Sequence, residues 1–441
     1  MTHKQGLLSL TPVILLALLM LGLGIAWHDF YKVPLLVVFL VVVIYAVAIT
    51  VMTDRRSFRQ SLSGAVETLS RGAGEKNLIL MIWIFLLAGS FAAIAKAMGA
   101  IDATVQLTMA LLPTSMLLPG LFLAACFVSL SVGTSVGTIV ALVPVAAGLA
   151  APTGMSTALL VASVVGGAFF GDNLSFISDT TIVATRTQGV RLADKFRTNI
   201  WLALPAAVVT FGLLLSLGNS ATSADVLVPA SQVSFIKVLP YLAVLVTAIL
   251  GLDVLVVLVL GNVLAVGVGM LSGDLDLAAS MQAGAEGMSG MTETILVAMM
   301  AGGMMELIRH NGGIDYIISH LTRKVHGTRG AELSIAALVG LTNCCTANNT
   351  VAILSVGKIS ADIAHRYHVN PCRSASILDT FSCVVQGLLP YGAQLLIASA
   401  LAAITPMEII PYLFYNMLLA VVALLGIAFR FPSLRDVNNH A

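Results

Sequence analysis

The 441-residue chain is 58% apolar and 10% charged, with a formal net charge of +1. Soluble domains carry about 25% charged residues, so a water-soluble fold of this size is excluded. So small a net charge, with basic residues only in short groups, also excludes nucleic acid as a partner.

Apolar runs of the ~20 residues needed to cross a ~30 Å hydrocarbon core recur along the whole length. They predict spans near 7–26, 33–52, 78–97, 104–131, 136–150, 155–172, 198–217, 234–250, 253–271, 291–309, 331–345, 348–364, 374–389, 391–404 and 408–429. The first is read as a retained helix rather than a signal peptide, because it is long and many like it follow. Since some spans must be half-helices or hairpins, the expected fold is an all-α polytopic bundle of about 11–13 transmembrane helices, with broken helices or re-entrant hairpins.

Basic residues cluster at 55–76 (Arg55, Arg56, Arg59, Arg71, Lys76), 186–197 (Arg186, Arg191, Lys195, Arg197) and 309–329 (Arg309, Arg323, Lys324, Arg329). The positive-inside rule makes these loops cytoplasmic, with both termini on the same side of the cell (inner) membrane. No Lys or Arg lies between Lys96 and Arg186, and the loop 272–290 carries Asp274, Asp276 and Glu286 without a basic residue. Those stretches face outward or stay in the membrane.

Ala88-Gly89 and Gly99-Ala100-Ile101-Asp102 match Ala301-Gly302 and Gly312-Gly313-Ile314-Asp315 at one offset of 213 residues, which also lays Lys96 on Arg309. The charge pattern around the match is reversed between the copies, which predicts two inverted repeats, a recurring plan of secondary transporters. The division that follows is a two-helix segment 1–52, a first repeat 53–217, connecting helices 218–271, a second repeat 272–430 and a tail 431–441.

Each half then carries a small-polar run, Ser129-Leu-Ser-Val-Gly-Thr-Ser-Val-Gly-Thr138 and Thr342-Asn-Cys-Cys-Thr-Ala-Asn-Asn-Thr350. A helix that unwinds inside a membrane frees carbonyls, and these with Ser, Thr and Asn oxygens suit a dehydrated Na⁺, a hard cation. The alternative is that small residues only let helices pack closely. Downstream, Gly166–Thr181 places Asp172 and Asp179 seven residues apart, and the second half offers Asp379-Thr380 and then Gln386-Gly-Leu-Leu-Pro-Tyr-Gly-Ala-Gln394. A carboxylate at mid-membrane costs ~2.5–3.5 kcal/mol on insertion scales, so each of these acids needs a proton, a cation or a cap role.

Glu306 with Arg309 reads as an interfacial pair, Glu293 as a helix start and Asp253 as a cytoplasmic turn between spans. There is no GxxxxGK[ST] and no Ser/His/Asp constellation, so neither ATP-driven transport nor a soluble enzyme is indicated. Cys126, Cys344, Cys345, Cys372 and Cys383 lack CxxC spacing and read as reduced core residues, and the eight histidines are scattered. No cofactor is called for.

Gly133-Thr-Ser-Val-Gly-Thr138 followed by Gly167-Ala-Phe-Phe-Gly-Asp-Asn-Leu-Ser-Phe-Ile-Ser-Asp-Thr-Thr181 resembles the signature of the NhaC-type Na⁺/H⁺ antiporter family. Asn370–Thr380 and Leu388–Ala393 are similar to its C-terminal pattern, so the resemblance covers about 75–403. It implies the ion-transporter superfamily architecture, with Gly133, Thr134, Ser135, Gly137 and Thr138 in one motif and Asp172, Asn173, Ser175, Ser178, Asp179, Thr180 and Thr181 in the next. Asp379 and Thr380 match the acidic position of the second half. The chain departs from the family at Asn173, where Lys is frequent, and over Thr342–Thr350.

The expected function is a secondary transporter, not an enzyme, that exchanges Na⁺ and H⁺ by alternating access; the alternative is a Na⁺-coupled symporter of an amino acid or other small organic acid. The expected cation and proton site comprises Asp172, Asp379, Asp179, Thr134, Ser135, Thr138, Asn173, Ser178, Thr180, Asn348, Asn349, Thr350 and Thr380, with Asp172, Thr134 and Asn348 nearest the sodium ion. The lipid bilayer, Na⁺ and H⁺ are the expected partners, with a small organic solute and a homodimer left open.

Overall fold

The structure, a computed structural model, describes residues 3–26, 34–54, 56–175, 178–220, 234–250, 252–322 and 327–432. Arg55, Arg323 and Lys324 of the basic clusters, His28, His326 and His440, and the tail from 433 lie outside the described residues. Among the described residues the chain is helical, without strands.

The first half runs α1 (His3–Ser9), α2 (Thr11–Ala26), α3 (Leu35–Thr53), α4 (Phe58–Ala73), α5 (Lys76–Ala97), α6 (Ala100–Leu111), α7 (Leu117–Val132), α8 (Ser135–Gly148), α9 (Ala150–Thr153), α10 (Thr157–Leu174), α11 (Asp179–Gln188) and α12 (Leu192–Ser220). The second runs α13 (Phe235–Ile249), α14 (Val254–Leu271), α15 (Leu277–Gly290), α16 (Thr292–His310), α17 (Gly313–Thr322), α18 (Gly327–Thr346), α19 (Asn349–Arg366), α20 (Pro371–Leu388), α21 (Ala393–Ala402), α22 (Pro406–Ile409) and α23 (Phe414–Phe429).

The two halves make the same contacts with roles exchanged. α4 packs on α16 as α15 packs on α5, α3 on α16 as α14 on α5, and α11 on α19 as α21 on α8. Individual bonds repeat too: Ser129 donates to the Ala168 carbonyl at 2.6 Å, and Asn343 donates to the Ser382 carbonyl at 2.9 Å, both across 39 residues. The polar runs become breaks of one design. Gly133 ends α7 at φ 76 and Thr134 begins α8 at φ −147. Ala347, between α18 and α19, has φ 50, and Asn348 follows at φ −146. Alanine in the left-handed region costs ~1–2 kcal/mol that glycine would not, so this break is held open by its surroundings.

By length and composition, seven helices among the described residues are apolar enough to cross a membrane, or nine if two bent pairs each count as one. The sequence expectation of about 11–13 counts segments that these breaks shorten. α8, at 14 residues, is ~21 Å long and cannot span alone. Large apolar side chains such as Ile44 (61% exposed) and Val263 (63% exposed) cover the outside, a surface that suits lipid and not water. The five cysteines are free, and all but the half-buried Cys344 are buried. Away from the breaks, Arg373 ties α18 to the end of α23, pairing with Glu332 at 3.0 Å and donating to the Phe431 and Gly426 carbonyls at 2.6 and 2.5 Å.

At the end of α3, Asp54 accepts from the Arg56 side chain at 2.8 Å and from its backbone N–H at 3.1 Å. These bonds, the side-chain one foremost, hold the Asp54 carboxyl down at about 2. A depressed carboxyl pKa stabilises the fold above the unfolded value of ~3.9 and loses that contribution as pH falls through the folded value. Protection of the last turn of α3 against hydrogen exchange, corrected for the intrinsic rate, is therefore expected to fall between pH ~4 and ~2, and Asp54→Asn should remove that fall.

Candidate ion site at the two helix breaks

The breaks meet at a cavity of about 580 Å³. Gly133, Thr134, Ser135 and Val136 line it from the first break, and Ala347, Asn348, Asn349 and Thr350 from the second. Asp172 from the end of α10, Asp179 and Thr180 from the start of α11, and Gln386 and Gln394 from α20 and α21 complete its polar wall. Leu80, Met81 and Ile84 of α5, Ala393 of α21 and Leu252–Leu255 at the start of α14 form the rest, so Asp253 lies at the cavity as well as capping α14. Among the described residues no lysine, arginine or histidine lines this space.

Asp172 is 5% exposed. Its carboxylate accepts from Ser135 at 2.8 Å and from Ser178 at 2.5 Å. The Ser178 hydroxyl has one proton and gives it to Asp172, so the Thr180 hydroxyl, 2.9 Å away, is the donor of the next bond. On the other side, Gln386 donates to the Ala347 carbonyl at 3.1 Å and to Gln394 at 2.9 Å, and Gln394 donates to Ser135 at 3.0 Å. A continuous chain of amides and hydroxyls therefore runs from the second break to the carboxylate beside the first. Because the Ala347 carbonyl can only accept, the orientation of the Gln386 amide is settled, and its oxygen is buried without a partner. The Asn349 nitrogen is likewise buried and unpartnered, its oxygen being used by the Thr350 N–H at 3.1 Å.

Asp379 is elsewhere. It is fully buried on α20 and does not line the cavity. The Lys195 ammonium pairs with it, and also donates to the Asn173 carbonyl at 2.5 Å and to Thr181 at 2.7 Å. Asn199 binds the Asn173 side chain and reaches Asp379 at 3.4 Å. Thr380 lies 3.5 Å from the Asn173 amide, and Thr138 is turned back onto the Thr134 carbonyl at 3.1 Å. Of the expected site residues, the structure thus brings Asp172, Asp179, Thr134, Ser135, Thr180, Asn348, Asn349 and Thr350 to one cavity, with Ser178 behind Asp172. Asp379, Asn173 and Thr380 form a second, closed cluster.

Sequence reasoning missed Lys195, Asn199, Gln386 and Gln394. Lys195 sits in the basic cluster 186–197 that was expected in a cytoplasmic loop, but it lies on α12 and is 1% exposed, whereas Arg186, Arg191 and Arg197 are exposed. A lysine followed four residues later by an asparagine, both on the inner face of one helix, is the only signal the sequence holds for it.

The pattern of the "Na+/H+ antiporter family" matches this chain twice, over residues 6–219 and 217–430. The chain is 27% identical over 296 residues to the Na⁺/H⁺ antiporter NhaC of Alkalihalophilus pseudofirmus, a match covering 59% of this chain and 63% of that protein. It is 25% identical over 424 residues to an uncharacterized Na⁺/H⁺ antiporter of Haemophilus influenzae, covering 87% of each. It is 20% identical over 334 residues to a malate-2H⁺/Na⁺-lactate antiporter of Bacillus subtilis, covering 68% of this chain and 71% of that one. With both of its halves matched and its apolar helices arranged about two breaks, the chain belongs to the Na⁺/H⁺ antiporter family of multi-pass membrane transporters.

Proposed function

We propose that this protein exchanges Na⁺ for H⁺ across the cell membrane, with Asp172 holding either ion in turn. The observation that carries this is a buried carboxylate at a cavity of about 580 Å³, hydrogen-bonded among the described residues by two hydroxyls and facing none of their cations. A carboxylate in low dielectric without a counter-charge must take up a proton or a cation. Ser135 and Thr134 beside it, and Asn348 across the cavity, add the neutral oxygens that a hard cation prefers. Mutually exclusive occupancy of one site is the minimal chemistry of exchange, and two halves with interchangeable contacts supply the means to expose that site to either side. The termini are cytoplasmic on this reading, and the resting potential contributes ~2.3 kcal/mol per charge per 100 mV if the cycle moves net charge.

The test is the internal pH of proteoliposomes on addition of NaCl with the potential clamped. Proton movement driven by sodium alone is expected; none at any sodium gradient would overturn the reading.

A second reading is favoured by one observation, the size and polarity of the cavity. Ligand pockets of ~300–1,000 Å³ hold organic molecules, and here a buried acceptor on Gln386 and a buried donor on Asn349 both lack partners. A Na⁺-coupled uptake of an amino acid or small organic acid would satisfy both. Sodium uptake that begins only when such solutes are supplied, without sodium-driven proton movement in their absence, would establish it.

A further inference from the structure

The Lys195 ammonium has three N–H donors and meets three oxygens: the Asp379 carboxylate, the Asn173 carbonyl at 2.5 Å and the Thr181 hydroxyl at 2.7 Å. A carboxylate, a backbone carbonyl and a hydroxyl are also the donor types that a dehydrated alkali cation takes. These oxygens come from α20, α10 and α11, and α12 contributes the cation together with the Asn199 amide, which binds Asn173 and reaches Asp379 at 3.4 Å. The cluster abuts the Asp172 site through the adjacent residue Asn173, and there the carboxylate and hydroxyls are present with no cation from the protein. Burying an ion pair breaks even at best against apolar packing, so packing alone does not explain the choice of a lysine here. The repeat does not explain it either. The offset that lays Gly133 on Ala347 lays Asp172 on Gln386, Asp379 on Val165 and Lys195 on Ile409.

We propose that Lys195 is a tethered cation filling a second cation site built around Asp379, so that the chain binds one sodium ion where its oxygens would hold two. The wild-type number rests on the Asp172 reading given above; the change on removing Lys195 does not. Lys195 is in this sense a positioning and stoichiometry-setting residue, since it touches the second carboxylate and not the transported ion.

Equilibrium binding of radioactive sodium to the purified full chain tests this. Wild type is expected to bind one ion, Lys195→Gln two, Asp172→Asn none, and Asp172→Asn with Lys195→Gln one. Lys195→Arg keeps the wild-type number. A doubling of bound sodium on Lys195→Gln is a readout that a merely structural lysine would not move, and an unchanged number in the folded variant overturns the proposal. If wild type binds none and Lys195→Gln binds one, the Asp172 reading fails and the tethered cation stands. If Lys195→Gln does not fold, Lys195→Ala, which keeps the Asp379 carboxylate and leaves room for a cation beside it, decides: two bound ions per chain support the proposal, and one overturns it.

Discussion

Asp172→Asn is expected to abolish sodium-driven proton movement while leaving the protein folded in the membrane. Asparagine keeps the shape of the carboxylate and an oxygen that Ser135 or Ser178 can still donate to, so the local bonds at 2.8 and 2.5 Å have a replacement. It removes a buried charge that has no protein counter-ion, which lowers rather than raises the cost of folding in the absence of sodium. What asparagine cannot do is bind and release a proton. Charge-assisted contacts are worth ~1.5–3 kcal/mol, so sodium affinity should also fall by ~10–100-fold. The measurement is sodium-triggered pH change in proteoliposomes beside size-exclusion chromatography of the same preparation. A monodisperse variant with wild-type exchange would remove Asp172 from the site; loss of both exchange and monodispersity would instead make its role structural.

The residues that the sequence made legible are those whose chemistry conflicts with lipid. Runs such as Thr342–Thr350 cannot form a comfortable lipid-facing helix, and the structure breaks the chain within them at Gly133 and Ala347. Asp172 stands out for the same reason. Neutral amides do not: Gln386 and Gln394 are visible in the sequence but carry no charge, and only tertiary packing lines them up between the Ala347 carbonyl and Ser135. Lys195 was hidden by a rule that works on averages. Its neighbours Arg186, Arg191 and Arg197 are exposed, and a rule that counts Lys and Arg along the sequence has no means of showing that one member of the cluster turns inward. Hydropathy locates the apolar segments but does not sense a single left-handed residue that ends a helix, so which of the expected segments are broken is legible only in the structure.

Gly89→Leu is expected to prevent assembly of the two halves. Gly89 on α5 crosses Gly287 on α15 so closely that a Cβ at 89 would lie 2.4 Å from the Gly287 carbonyl oxygen, and a Cβ at 287 would lie 2.2 Å from the Gly89 oxygen. The exchanged contact repeats this: a Cβ on Gly72 of α4 would lie 2.4 Å from the Gly302 oxygen on α16. Close approach of helices at small residues is how membrane helices gain packing energy in the absence of a hydrophobic drive. Here the obstructing atoms are backbone and cannot rotate away, so the cost should exceed the ~1–3 kcal/mol of ordinary overpacking, a large share of typical stability. Gly72→Leu should behave alike, because the exchange of halves makes the two crossings equivalent. Gly290→Ala is the control, since nothing lies within 4 Å of a Cβ placed there, on the same helix as Gly287. Thermal unfolding in detergent, followed by the monodisperse fraction, should show both leucine variants aggregated at temperatures where the control and wild type are intact. A Gly89→Leu protein as stable as wild type would mean that α5 and α15 do not cross at these glycines, and the two-fold arrangement of the halves would fall with that crossing.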